Sequence, residues 1–503
     1  MVEGRVPRAQ MVDPPCAPLS REEGREKRAP PTQTSEKLMS FLRKITPYRL
    51  NLLGFLALCI FALGFINTRQ NFSILDPVPP SAVFFTALIF FSWMASAWGW
   101  GKFFCDLCGE GFDYFEALTV GLVFFIAAST ALGHFGLLGA SQAWIFQALA
   151  IMGLIAPLLS RKQGPISVEI TKVTRTPLAS IFLSLIVLVV FAQVAMLCLV
   201  PNFIVMDSTF YHLFAPSFWW QKGSISFLPN HPTVYIAAYW EYLYLWGFAL
   251  VASANGSNLF QAQIFAQLVH AMAGYGLSLW ALYRFCGLFL GASSWRWFVL
   301  CVIALHPYFL WTANYAKSDW GGIFFALSGA TYFLRPSMGR RSIVCAAILF
   351  GLAVSIKVTT LFFIIPIVFF CLLWNRPQFP IRRLVLGGGL FMGVFAVILF
   401  RNFLATGFPV FPFDTAIELR YWGPTLDKSL GFFIDPSAKP TENIFEFFLR
   451  IPKLEPLFLL FFLFPLYFFI PRNRDIKILC GASSFGFLLM GLMVGRRFDD
   501  FFL

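Results

Sequence analysis

PTVYIAAYWEYLYLWGFALV, residues 232–251, decides how this chain is threaded. It is apolar enough to cross a bilayer and about as long as the 20 helical residues a crossing takes. It also carries Glu241 and is loaded with Tyr and Trp, a composition that suits the membrane–water interface better than the bilayer centre. If it crosses, every later loop changes side. If it lies flat, none does.

The rest of the chain makes this a question of membrane topology. Of its 503 residues 58% are hydrophobic and 13% charged, and 63 are phenylalanine. Such a composition excludes a soluble domain and predicts a polytopic, all-α membrane protein. Apolar runs fall at roughly 50–67, 81–101, 117–139, 142–159, 178–200, 259–283, 296–314, 319–334, 342–357, 359–374, 384–402, 455–471 and 478–494, giving about 13 transmembrane helices. The pair 342–357 and 359–374 is short and expected to tilt or bend near Lys357. The net charge of +13 sits in short clusters between these runs, which is a topology signal and not a nucleic-acid face. Residues 1–49, polar and rich in both charges, read as a disordered cytoplasmic tail.

Charge then settles residues 232–251. With that segment flat, the loops holding Arg161/Lys162, Arg335/Arg340/Arg341, Arg376/Arg382/Arg383 and Arg472/Arg474 all share the side of the N-terminal tail. With it spanning, the last three clusters move outside, against the positive-inside rule. The flat reading places Asp207, His212, Lys317, Asp319, Lys357, Arg401 and the loops 201–258 and 403–450 together on the outer face.

Each of these residues has a chemical and a plain reading. Asp207, in VMDSTFYHLFAPSFWW (205–220), is a general base, a metal ligand, a solvated carboxylate or the cap of a helix over 208–222. His212 ligates a metal, orients Asp207 or bonds at the headgroups. Lys317 and Asp319, in WTANYAKSDWGG (311–322), pair with each other or face a pocket. Lys357, in GLAVSIKVTT (351–360), meets an anion such as a lipid-linked phosphate or snorkels to the headgroups. Arg401, in RNFLATGFPVFPF (401–413), forks onto phosphate or anchors its helix. Cys105 and Cys108 form a CxxC with no second ligand pair nearby, the mark of two interfacial cysteines more than of a metal site.

Three of these stretches together resemble the polytopic bacterial glycosyltransferases of the GT-C fold, relatives of the protein O-mannosyltransferases and aminoarabinose transferases. DSTFYHLFAPSFWWQKGSISFLP is similar to their D-S-x-x-Y-H-L pattern, GLAVSIKVTT to G-L-A-x-x-x-K-x-T, and RNFLATGFPVFPF to R-N-x-x-x-T-G-N-P-x-Y-P-F, with Phe408 and Phe411 as departures. The resemblance covers about 178–503 and leaves 50–177 as a four-helix N-terminal extension. It implies a GT-C-like core with juxtamembrane helices in the first exported core loop. It implies transfer of a sugar from a polyprenyl-phosphate donor to an unknown acceptor at the outer face of a bacterial inner membrane, with the N-terminus cytoplasmic. Carried over, Asp207 becomes the catalytic residue that activates the acceptor, Lys357 and Arg401 hold the donor phosphate and His212 shapes the pocket; Lys317 and Asp319 join the substrate site by their position on the same face. Met206 and Ser208 flank Asp207 where relatives often have a second acid, so no metal ligand set is assigned, no cofactor is certain and a divalent metal stays open. GRRFDDFFL ends where relatives continue, so a C-terminal truncation is expected. A lipid or polysaccharide transporter and a glycan polymerase or ligase are the alternative functions.

Overall fold

A computed structural model of the chain describes residues 79–108, 113–159, 177–199, 208–226, 238–251, 259–290, 295–335, 339–375, 381–407 and 409. Residues 1–49, the expected spans 50–67, 455–471 and 478–494, nearly all of the loop 403–450, and Asp207 lie outside the described residues. All described residues belong to one compact unit, Phe61–Leu503.

Among them every regular element is helical. The order is α1 Pro80–Leu107, α2 Tyr114–His134, α3 Ala143–Leu159, α4 Pro177–Leu197, a π turn Ser208–His212, α5 Phe214–Lys222 and α6 Glu241–Leu250. Then come α7 Leu259–Leu268, a π segment Val269–Gly276, α8 Leu277–Leu290, α9 Trp295–Leu305, α10 Pro307–Ala313, α11 Asp319–Phe333, α12 Arg340–Ile356, α13 Leu361–Asn375 and α14 Ile381–Thr406. Among the described residues four helical stretches are long and apolar enough to cross a membrane: Pro80–Leu107, Tyr114–His134, Ala140–Leu159 and Ile381–Ala405. The helix expected over 208–222 is divided, with the π turn at its start and α5 after Leu213.

Local chemistry explains the element ends. Pro79 and Pro80 open α1 where no backbone N–H is needed. Asp113 and Glu116 close a reciprocal capping box on α2. Inside the bundle, close contact depends on missing side chains. A Cβ on Gly121 of α2 would lie 1.6 Å from the Ala97 carbonyl oxygen of α1, so these backbones touch as small-residue membrane helices do. Aromatic rings fill the space that remains. Trp93 of α1, Phe125 of α2, Trp246 of α6 and Phe265 of α7 form one buried aromatic cluster, with the ring centroids of Trp246 and Phe125 4.2 Å apart.

α6 resolves the opening question in part. Its 10 residues make about 15 Å of helix, half a hydrocarbon thickness, so it does not cross on its own. Nor does it lie on an interface: Tyr242 through Trp246 are each 0% exposed. Its partners all sit near one end of their own helices. They are Ser129 and Gln147, near the end of α2 and the start of α3, Lys317 just before α11, and Arg401 near the end of α14; Ala238, just before α6, donates to the Ser355 carbonyl near the end of α12. α6 therefore lies across that end of the bundle, inside it. The Tyr and Trp that suggested an interface find their polar partners within the protein, which serves an amphipathic ring as well as water does.

Candidate functional site

Two groups of charged residues mark the two ends of the bundle. One gathers at the start of α2: Arg335 donates to Glu116 Oε1 at 2.9 Å, Arg284 reaches both Asp113 and Glu116, and Arg341 lies 3.8 Å from Glu116 Oε2. The other gathers beyond α6 and contains the residues singled out from the sequence. Asp319 and Arg335 bracket α11, and Arg341 and Lys357 bracket α12, so each helix separates the groups by about 24 Å at 1.5 Å per residue. Neither intervening stretch, 320–334 or 342–356, holds a charged residue.

At the second end the most buried pair is His212 with Glu241. Nδ1 of His212 is 2.5 Å from Glu241 Oε1, and the residues are 3% and 4% exposed. The π turn presents His212; the first residue of α6 presents Glu241. Their remaining polar atoms, His212 Nε2 and Glu241 Oε2, are buried and have no hydrogen-bond partner among the described residues, nor does the Ser208 hydroxyl. Such orphans are rare because each forfeits its hydration at a cost of about 1–3 kcal/mol.

Around this pair lie the other candidates. Asp319 forms an ion pair with Lys357 at 2.6 Å, across the start of α11 and the end of α12. The sequence offered Lys317 as one partner for Asp319; the structure adds a lysine 38 positions further on, because α11 and α12 pack antiparallel with a short turn. The Lys317 carbonyl accepts from the Tyr244 hydroxyl at 2.6 Å and lies 2.7 Å from His270 Nδ1, while its ammonium sits 5.9 Å above the Trp311 ring. Asp319 is an electrostatic neighbour of Lys357, Lys317 and His212 together. Arg401, buried on α14, donates to the Tyr242 hydroxyl at 3.1 Å and to Asn402 Oδ1 at 2.9 Å. Tyr242 neighbours Glu241, so α6 carries contacts to both the His212 and the Arg401 corners. Gly321 makes room for this: a Cβ there would lie 2.3 Å from the Trp240 ring that precedes α6.

The structure thus brings His212, Lys317, Asp319 and Lys357 together, and links Arg401 to them through Tyr242. Sequence reasoning missed Tyr242, Tyr244 and His270, and treated Glu241 only as a topology problem. Glu241 carried a signal nonetheless, since a carboxyl inside an apolar run is costly without a function or a partner. Among the described residues no three His, Cys, Asp or Glu side chains converge as a metal site would require. Cys105 is buried and Cys108 exposed, both as free thiols.

Residues 256–425 match a family model described as a domain of unknown function (DUF8201). That match contains Lys317, Asp319, Lys357 and Arg401 and leaves out His212 and Glu241. No curated protein and no solved structure matches the chain.

Proposed function

We propose that this chain is a membrane glycosyltransferase with a GT-C-like core. It moves a sugar from a polyprenyl-phosphate donor to an acceptor at the outer face of a bacterial inner membrane. The observation that carries the reading is the His212–Glu241 pair. With Nδ1–H donating to the Glu241 carboxyl, the imidazole is fixed in orientation and Nε2 offers its lone pair to an incoming hydroxyl, the arrangement of a general base held by a carboxyl. Asp207, five positions before His212, shares this role. Lys317, Lys357 and Arg401 are the cations proposed to face the donor phosphate, with Asp319 holding Lys357 in place.

In the proposed step the acceptor oxygen bonds to the anomeric carbon as the bond from that carbon to the phosphate oxygen breaks. The lipid phosphate leaves with the electron pair, and the acceptor proton passes to Asp207 or His212. Arg401, buried, and Lys317 and Lys357, half-buried, stabilise the phosphate charge that develops.

The test is the glycan and glycolipid composition of a deletion strain carrying the wild type, Asp207→Asn or Glu241→Gln. Wild type is expected to restore what deletion removes. Both variants should fail to do so while present in the membrane at wild-type level. Full restoration by Asp207→Asn and Glu241→Gln would sink the catalytic assignment, and a deletion that alters no glycan would sink the transferase reading.

A further inference from the structure

Lys317 and Asp319 stand at a break between two apolar helices. α10 ends at Ala313, α11 begins at Asp319, and residues 314–318 between them are not helical. Such a break strands the last carbonyls of α10, which inside a helix would accept from the residues that follow. In apolar surroundings these groups need partners. Side chains from neighbouring elements supply them. The Thr312 carbonyl oxygen lies 3.0 Å from His270 Nε2, Cys198 Sγ stands 3.9 Å from the Ala313 and Asn314 carbonyl oxygens, and Gln267 Nε2 donates to the Asn314 carbonyl at 3.3 Å.

His270 does more than the others. It sits on the π segment Val269–Gly276, a local widening of the helix of a kind frequent at functional sites, and it is 0% exposed. Its ring spans the break from Thr312, at the end of α10, to Lys317. Nδ1 is 2.7 Å from the Lys317 carbonyl oxygen and 3.3 Å from the Lys317 backbone nitrogen. A neutral imidazole carries one N–H. With the proton on Nδ1, the ring donates to the Lys317 carbonyl. With it on Nε2, the ring donates to Thr312 and accepts from the Lys317 N–H. Either tautomer therefore bonds the Lys317 backbone.

A second side chain holds the same point. The Tyr244 hydroxyl of α6 donates to the Lys317 carbonyl at 2.6 Å. The start of α11 also packs against the π segment, since a Cβ on Gly274 would lie 3.1 Å from Trp320 Cβ. Two buried side chains thus fix the backbone of Lys317, while its own side chain runs out over the Trp311 ring. Asp319, two residues on, inherits that placement, and with it the ion pair to Lys357 at 2.6 Å. Placement of this kind weighs on rate, because a shift of about 1 Å in a positioned group can lower it roughly a hundredfold.

We infer that His270 is a positioning residue: by holding the Lys317 backbone across the break between α10 and α11, it sets where Lys317 and Asp319 stand. It acts through Lys317 and makes no contact with the reacting atoms. Its part in catalysis rests on the glycosyl-transfer reading; its grip on Lys317 does not.

The experiment uses the full chain, purified in a neutral detergent. Its amines are labelled with a sulfonated N-hydroxysuccinimide ester, and each lysine is read by peptide mass spectrometry. His270→Leu should open the turn locally, raising the rate at Lys317 by about threefold or more and leaving exposed Lys222 unchanged. His270→Asn, whose amide falls near the Nδ1 position, should stay close to wild type. His270→Gln, whose amide falls near the Nε2 position, keeps Thr312, loses Lys317 and should resemble His270→Leu. The difference between Asn and Gln decides the outcome even where His270→Leu fails to accumulate. A rate at Lys317 no higher in His270→Gln than in His270→Asn, or a rise at Lys222 to match that at Lys317, would overturn the inference. In the deletion strain, His270→Gln should slow glycan restoration on the order of a hundredfold. It should add nothing to the loss in Lys317→Ala, because it acts through that residue. Additive losses would give His270 a role apart from Lys317 and overturn the positioning. A deletion that alters no glycan would end the transfer reading and leave the labelling outcome standing.

Discussion

Glu241 shows how much a single residue can weigh. It is 4% exposed, and one of its oxygens is bonded to His212 while the other has no partner among the described residues. Removing one member of such a pair strands the other, at about 3–5 kcal/mol, whereas replacing both by apolar groups of similar size is often close to neutral. His212→Phe is therefore expected to destabilise the protein by about 3 kcal/mol, and His212→Phe/Glu241→Leu to recover most of that loss. Thermal unfolding of the three variants in one detergent reads the cycle. Additive losses would mean that the two side chains do not depend on each other. The double variant should remain inactive if the pair does chemistry, so recovered stability without recovered function would separate a working pair from a structural one. None of this pairing is visible in sequence. His212 and Glu241 stand 29 positions apart, and Tyr242 and Arg401 stand 159 apart. Only their shared oddness, a polar group in apolar surroundings, could be read beforehand.

At the scale of an element, glycine separates packing from mere composition. The run Gly387–Gly388–Gly389 reads in sequence as packing or kink material. Among the described residues only Gly387 meets neighbours, Ile343 and more loosely Ala347; Gly388 and Gly389 have nothing within 4 Å of an added Cβ. Gly121 is the opposite case, with a carbonyl oxygen 1.6 Å from where a Cβ would be. The obstacle is backbone, which cannot rotate aside as a side chain can, so Gly121→Ala must push α1 and α2 apart. A loss of about 3 kcal/mol or more is expected, at the upper end of overpacking. Gly389→Ala should stabilise by about 0.5–1 kcal/mol, because alanine loses less freedom in a helix and meets no obstacle here. Melting temperatures of the two variants should move in opposite directions; movement in the same direction would refute the helix contacts described. Helix positions were legible from hydrophobic runs, as α1, α2, α3 and α14 lie where the runs predicted them. Which glycines touch was not, because contact depends on the neighbour's backbone and leaves no periodic trace.

For the whole molecule, the two charged ends constrain the threading without any membrane in view. Glu116 at the start of α2 reaches Arg335 at 2.9 Å, so both belong to one end of the bundle. The chain runs from that end along α2, returns along α3 and goes out again along α4. It comes back through α7 and α8 to Arg284, which also reaches Glu116. That path closes only if the α6 region makes no net crossing, which is the parity that the arginine loops predicted. Sequence erred in laying the segment flat on the surface: period and composition report what surrounds a residue only on average, and a buried Tyr with a bonded hydroxyl looks the same as an interfacial one. The threading makes a direct prediction. Ser141, between α2 and α3, and Gly339, before α12, are both exposed and lie at opposite ends of the bundle. In a full-length chain whose native cysteines are replaced by alanine, Ser141→Cys should react with a membrane-impermeant maleimide in intact cells. Gly339→Cys should react only after permeabilisation, since the positive-inside rule assigns its arginine-bearing loop to the cytoplasmic side. Labelling of both positions from one side would refute the odd number of crossings between them and the role of α6 as a helix that does not span. The inverse pattern would keep the crossings and overturn the orientation, and with it the outer-face position proposed for His212 and Glu241.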